Sequence, residues 1–196
     1  LHGEYFSAHP AEAWQIGRGG LAYHGALAGA LAGLWLWARL SHRPFWASAG
    51  LFGPGLALLA AFGWLACGVD GCAYGRVIPI GSVALVDLVA AELPDDLGII
   101  TLRYRTQMAG ALLSLLALGL ALVAVRRRWP PAVIFFTALG SISLARALVA
   151  PFRGDAVPGL WGVRADLLVD VGLVLLCCLA AVVVVMREKR ARKPVV

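Results

Sequence analysis

Five long apolar runs alternate with polar segments along the chain, at roughly Gly20–Leu40, Phe45–Gly68, Gln107–Val125, Ala132–Pro151 and Leu167–Met186. A hydrocarbon core of ~30 Å takes about 20 helical residues to cross, and each run is that long or nearly so. The pattern predicts an all-α fold, a polytopic membrane helix bundle of about five transmembrane helices with a small extracytoplasmic segment. All of residues 1–196 read as one membrane domain. Within the first run, Gly25, Gly29 and Gly33 recur at every fourth position. Such a stripe suits close helix packing.

The polar segments fix an orientation. Arg39 and Arg43 follow the first run, Arg126, Arg127 and Arg128 the third, and Arg187, Lys189, Arg190, Arg192 and Lys193 the fifth. These are alternate loops, so all can lie on the cytoplasmic side together, with the carboxyl terminus. Segments 1–19, 69–106 and 152–166 then lie outside. The long segment 69–106 contains an apolar stretch, Val83–Leu93, interrupted by Asp87. It is too short to span and reads as an interfacial helix or part of a small extracytoplasmic head. No linker, second domain or half-to-half repeat is apparent.

Composition agrees with a membrane setting. The chain is 61% hydrophobic and 14% charged, whereas soluble domains run nearer half apolar and a quarter charged. Its net charge of +6 lies at the ends of apolar runs, so it reads as topology, and no nucleic-acid partner is expected. Cys177 and Cys178 sit inside the last run and read as lipid-facing or packed small hydrophobes. Cys67 and Cys72 flank the mouth of the second run and could form a disulfide on an oxidising side, although spacing alone leaves this open. No metal site or cofactor is expected. The chain starts at Leu1, with no basic and apolar leader pattern, and reads as internal to a longer protein.

Against so apolar a background, a few polar residues stand out. His24, in Gly19–Gly25, lies at the outer end of a helix beside a glycine-rich entry and could act as a general base. An interfacial His beside the interfacial Tyr23 is the plainer reading. Arg146 is embedded near the outer end of the fourth run, and Asp170 lies about one turn inside the fifth. A charge inside a membrane helix costs a few kcal/mol and usually faces a bundle interior or a wet cavity. The two lie at similar depths and could neutralise each other, with snorkelling of Arg146 as the alternative. Cys67 to Arg76 is glycine-rich, and Arg76 could meet a lipid phosphate.

Taken in order, these pieces resemble the prolipoprotein diacylglyceryl transferase family. GGLAYHG at Gly19–Gly25 is similar to the family's segment of two glycines, a hydrophobic residue, any residue, an aromatic or aliphatic residue and HGG. Pro54-Gly55-Leu56-Ala57-Leu58 with Phe62-Gly63 looks like its APGLALGQAxGR stretch, and Asp70 to Arg76 occupies the place of GNFxNGExxGR. Thr106-Gln107-Met108 falls at HPTQLYE, and Ser143 to Arg146 through Phe152 to Asp155 resembles GRFxxExxRxxD.

The resemblance implies seven transmembrane helices with the amino terminus outside, of which these five would be the last, in a bacterial inner membrane. It implies transfer of a diacylglyceryl group from phosphatidylglycerol to the lipobox cysteine thiol of a preprolipoprotein, with glycerol phosphate leaving. His24 would be the base or a positioning group, Arg146 would bind phosphate with Arg76 and Arg153, and Gly75 would shape the pocket. The departures are specific: Trp64 stands at a family arginine, Cys67 at an asparagine, Cys72 at a glutamate, Ala109 and Gly110 at Tyr-Glu, and Ala150 at another glutamate. The alternative is a non-catalytic or differently catalytic relative that binds an anionic phospholipid. A small-solute transporter is disfavoured because few polar residues line any one run.

Overall fold

Inside lipid a backbone must satisfy its own hydrogen bonds, so each long apolar run closes into a helix. The computed structural model describes residues 23–79, 86–95, 97–157 and 159–191. They divide into two compact units, one ending at Ser48 and one starting at Ala49. In chain order the helices are α1 (Tyr23–Leu40), α2 (Phe45–Asp70), the single-turn α3 (Val86–Val89), α4 (Thr106–Arg126), α5 (Pro131–Val149) and α6 (Ala165–Ala191).

Helices α2, α4 and α6 and the stretch Pro131–Phe152 are long and apolar enough to cross a membrane. α1 has 18 described residues and falls outside that group. Tyr23, His24 and Arg39 at its ends and three glycines inside it dilute its apolar character; Gly20, Leu21 and Ala22 lie outside the described residues.

A bundle in lipid packs by close fit, because the tails outside are as apolar as the core. α5 packs against both α4 and α6, and buries Ala138, Leu139, Ile142, Ser143, Ala145 and Val149. α4 presents a small-residue face, with Gly110, Ala111, Ser114, Ala117, Ala121 and Ala124 all buried. A Cβ added at Gly25, Gly29 or Gly33 of α1 meets nothing within 4 Å among the described residues. Leu112, Leu116 and Leu120 of α4 and Leu175, Leu176 and Leu179 of α6 point outward, as lipid-facing positions would.

The described parts of residues 69–106 build a small head. The stretch expected as an interfacial helix or part of a head is helical only over Val86–Val89 within its described part. It continues as β1 (Ala90–Pro94), which pairs antiparallel with β2 (Ile100–Tyr104), Ala90 opposite Tyr104. Alternating burial along β1 gives the chain a reason to extend there. Asp95 closes the turn: its Oδ1 accepts the Leu97 and Ile99 amides at 3.0 and 2.9 Å. A second, two-residue ladder joins β3 (Gly159–Leu160) to β4 (Val163–Arg164) just before α6.

Where α2 meets α5 the fit leaves no spare volume. A Cβ on Gly50 would lie 2.7 Å from Pro131 Cα and O, whereas one on Gly55 meets nothing within 4 Å. Gly50→Val should therefore lower the unfolding free energy in detergent micelles by ~1–3 kcal/mol, the usual cost of overpacking. Gly55→Val, with open space, should fall well short of that loss. Equal effects at both positions would show that the Gly50 contact is not what holds the pair together.

Candidate functional site

Three chain segments that are distant in sequence meet through backbone hydrogen bonds. After α2 the chain reverses at Gly71, whose φ of +74° suits glycine. The Cys67–Cys72 disulfide ties the last turns of α2 to this loop. From the start of α4, Thr106 Oγ1 donates to Ala73 O at 2.7 Å and Gln107 Nε2 donates to Cys72 O at 3.1 Å. Residues 74–78 then run extended between two neighbours. On one side the Tyr104 amide donates to Arg76 O at 3.2 Å and the Ile78 amide to Leu102 O at 2.9 Å. On the other, the Arg76 amide donates to Phe152 O at 2.8 Å and the Gly154 amide to Tyr74 O at 2.7 Å.

Gly75 sits in the middle of this layer and bridges to Arg153. A Cβ there would lie 2.1 Å from Tyr104 O, so only glycine lets the three backbones close. Arg103 locks the layer from beneath. Its buried guanidinium donates to Asp95 Oδ2 at 2.8 Å and to Gly75 O at 3.3 Å, and lies 4.9 Å over the Tyr74 ring. The Ile99 amide, followed by the Leu97 amide and the charge of Arg103, holds the Asp95 carboxyl below its ordinary value.

Beside this layer lie the arginines that the sequence singled out. Arg146 Nε pairs with Asp170 Oδ2 at 3.2 Å, joining α5 to α6 inside two membrane-spanning stretches. Asp170 is 1% exposed. Arg153 pairs with Asp155 and, at 3.1 Å, with Asp166. Arg164 reaches the same two carboxylates at 3.4 and 3.1 Å. Two cations and two anions thus form one closed network that is neutral as a whole. Burial works against the Arg164 charge, but Asp166 and then Asp155 outweigh it and hold its pKa above the ordinary value. Between the two systems stands Trp64 of α2, with the guanidinium carbons of Arg146 and Arg153 at 6.0 and 5.9 Å from its ring.

The structure therefore brings together Gly75, Arg153, Arg146 and Asp170, and Arg76 follows Gly75 in the same strand. Arg76 is exposed and forms no ion pair with a described residue. His24 belongs to the first unit, where it meets Tyr23 edge to face at 5.2 Å. Sequence reasoning passed over Arg103, Arg164 and Asp166. Arg103 alternates with Thr101 along a strand, a signal hidden because the apolar stretch of 69–106 reads as an interfacial helix or part of a small head. Four of the family departures also turn out to be two contacting pairs: Cys67 is bonded to Cys72, and Trp64 lies against Gly110. A separate cavity of about 320 Å³, bounded by Leu65, Leu93, Pro94, Arg105 and Met108 among others, lies under the hairpin and does not include the arginine cluster.

A polytopic helix bundle with buried, carboxylate-paired arginines beside a glycine-closed backbone layer defines the class: a membrane protein with a polar site set in its helices. The family model for prolipoprotein diacylglyceryl transferase matches residues 1–187, and the chain belongs to that family. Among its relatives, a phosphatidylglycerol–prolipoprotein diacylglyceryl transferase of Symbiobacterium thermophilum is 32% identical over 157 residues, covering 80% of this chain and 58% of its own length. One of Geobacter sulfurreducens is 34% identical over 161 residues, covering 80% and 57%. The chain thus spans a little over half the length of these relatives.

The Arg146–Asp170 pair yields a direct test. Removing one member of a buried ion pair typically costs ~3–5 kcal/mol, because the other charge stays behind. Asp170→Asn should destabilise the protein in micelles by that order, and Arg146→Gln combined with Asp170→Asn should recover much of the loss. Additive losses in the double variant would show that the two side chains are not coupled.

Proposed function

We propose that the protein transfers a diacylglyceryl group from phosphatidylglycerol to the lipobox cysteine of a preprolipoprotein. In that reaction the cysteine sulfur bonds to the glyceryl carbon that carries the phosphate, and the carbon–oxygen bond to phosphate breaks. Glycerol phosphate leaves with the electron pair, and the thiol proton passes to a base. The observation that carries the reading is the convergence of Arg146 and Arg153 on one buried indole, within a chain that matches the family over residues 1–187.

Cations are needed where the departing phosphate gains charge. Arg146 and Arg153 are proposed to bind that phosphate, with Arg76 meeting it from the adjoining strand. A guanidinium carries five N–H donors in a planar fork, which suits shared binding of carboxylate and phosphate. Gly75 keeps the strand close enough for this, since no side chain fits there. His24 is proposed as the base on its motif, GGLAYHG. The relatives' printed names supply the two substrates, phosphatidylglycerol and a prolipoprotein.

The test is thioether formation on a lipobox peptide in phosphatidylglycerol vesicles, read by mass. Wild type should transfer, and Arg146→Gln should lose about 10²–10³-fold in rate, as removal of a preorganised charge-stabilising donor does. Lipid binding without transfer by wild type would overturn the enzyme and leave the alternative, a relative that binds anionic phospholipid. The replaced motif positions at Trp64, Cys67, Cys72 and Gly110 are what favour that alternative.

The protein is further proposed to sit in a bacterial inner membrane with its carboxyl terminus in the cytoplasm. Support comes from the basic clusters at 126–128 and 187–193, which lie at the C-terminal ends of α4 and α6, with one helix, α5, between them. Leu97 lies exposed at the hairpin turn. Leu97→Cys, with Cys177 and Cys178 replaced by Ala, should react with an impermeant maleimide on intact spheroplasts. Reaction only after lysis would reverse the topology.

A further inference from the structure

Trp64 has no part in the chemistry above, yet it occupies the centre of the arginine cluster. It is 5% exposed and packs in a buried apolar group with Ala73, Ala111 and Val149. Its indole rests directly on α4. A Cβ at Gly110 would lie 2.2 Å from Trp64 Cδ2 and 2.3 Å from Cε2, so the absence of a side chain at Gly110 is what gives the ring its seat. Ser114 Oγ donates to Gly110 O at 2.7 Å, one turn along the same face.

The seated ring then meets both arginines, which come from different places and are held by different carboxylates. Arg146 is drawn toward α6 by Asp170, and Arg153 toward the β3–β4 end by Asp155 and Asp166. Those ion pairs do not order the two guanidiniums relative to each other, and their like charges repel, so the ring they share is what links them. An aromatic face attracts cations within about 6 Å of its centroid, more strongly where water is excluded. Both guanidinium carbons lie at that limit, 6.0 and 5.9 Å from the same indole. Trp64 and Gly110 stand where the family resemblance has an arginine and a glutamate. The pair of replacements removes one charge of each sign and puts a neutral aromatic surface between the arginines that remain.

We propose that Trp64 is a positioning residue: seated on Gly110, its indole gathers the Arg146 and Arg153 guanidiniums into a two-arginine site for a single lipid phosphodiester. The proposal rests on the reading of those arginines as the phosphate-binding cations.

The experiment titrates short-chain phosphatidylglycerol into the protein in maltoside micelles and measures transfer KM and kcat in parallel, for variants whose thermal midpoints show them folded. Trp64→Leu keeps an apolar side chain and loses the ring; Gly110→Ala pushes the ring off its seat; Trp64→Phe keeps an aromatic face. The first two should weaken lipid binding and raise KM about tenfold, the size of a desolvated cation–π contact, with kcat less affected. Trp64→Phe should restore most of the binding. In an Arg153→Gln background the effect of Trp64→Leu should shrink, because one of the cations it positions is gone. Equal binding by wild type and Trp64→Leu, or an undiminished Trp64→Leu effect without Arg153, would overturn the proposal. Absence of transfer by wild type would overturn the proposed reaction alone, since the binding titration still judges Trp64.

Discussion

A guanidinium inside a membrane bundle has to be compensated where it lies, and much of this structure follows from that constraint. Arg146 sits in a spanning stretch, and Asp170, itself 1% exposed, comes from the next spanning helix to meet it. Neither charge is tolerable alone at low dielectric, and removal of either leaves the other stranded. The pair therefore fixes how α5 and α6 are rotated and at what height they cross. Where the chain leaves α5, Arg153 and Arg164 face the same requirement near the membrane surface. There they share Asp155 and Asp166 between them.

The second organising element is a layer of backbone. Residues 74–78 have β2 on one side and residues 152–154 on the other, so the end of α5 is joined to the hairpin head through a strand from neither. This layer forms because Gly75 and Gly154 admit close approach: a Cβ on Gly154 would meet Gly75 O at 2.9 Å. The disulfide, Thr106 and Gln107 hold the loop from its other end. Positions that look like scattered motif fragments are thus the contact points of one assembly.

The departures from the family pattern acquire a physical reading in the same way. Cys67 and Cys72 exchange a pair of polar side chains for a covalent link across the same turn. Trp64 and Gly110 exchange an arginine and a glutamate for a large ring and the gap that receives it. In this chain each pair of departures is in contact, one through a covalent bond and the other through the packing of a ring on a glycine.

Much of the architecture was legible in the chain itself. A period of about 20 apolar residues has one stable solution in lipid, so α2, α4, α5 and α6 fall close to the runs read from hydropathy. The depths of Arg146 and Asp170 along those runs were enough to suggest that they meet. What the sequence could not supply was lateral and rotational placement. The packed small-residue face of α4 was not singled out, because hydropathy reports burial in lipid without saying which neighbour lies where. Arg103 was passed over, since its role depends on a strand pairing set by Asp95 and by contacts 28 residues away. Trp64 read as a lost arginine. Only tertiary packing, which sets its ring on Gly110 and beneath two guanidiniums, decided that the position is still part of the charged site.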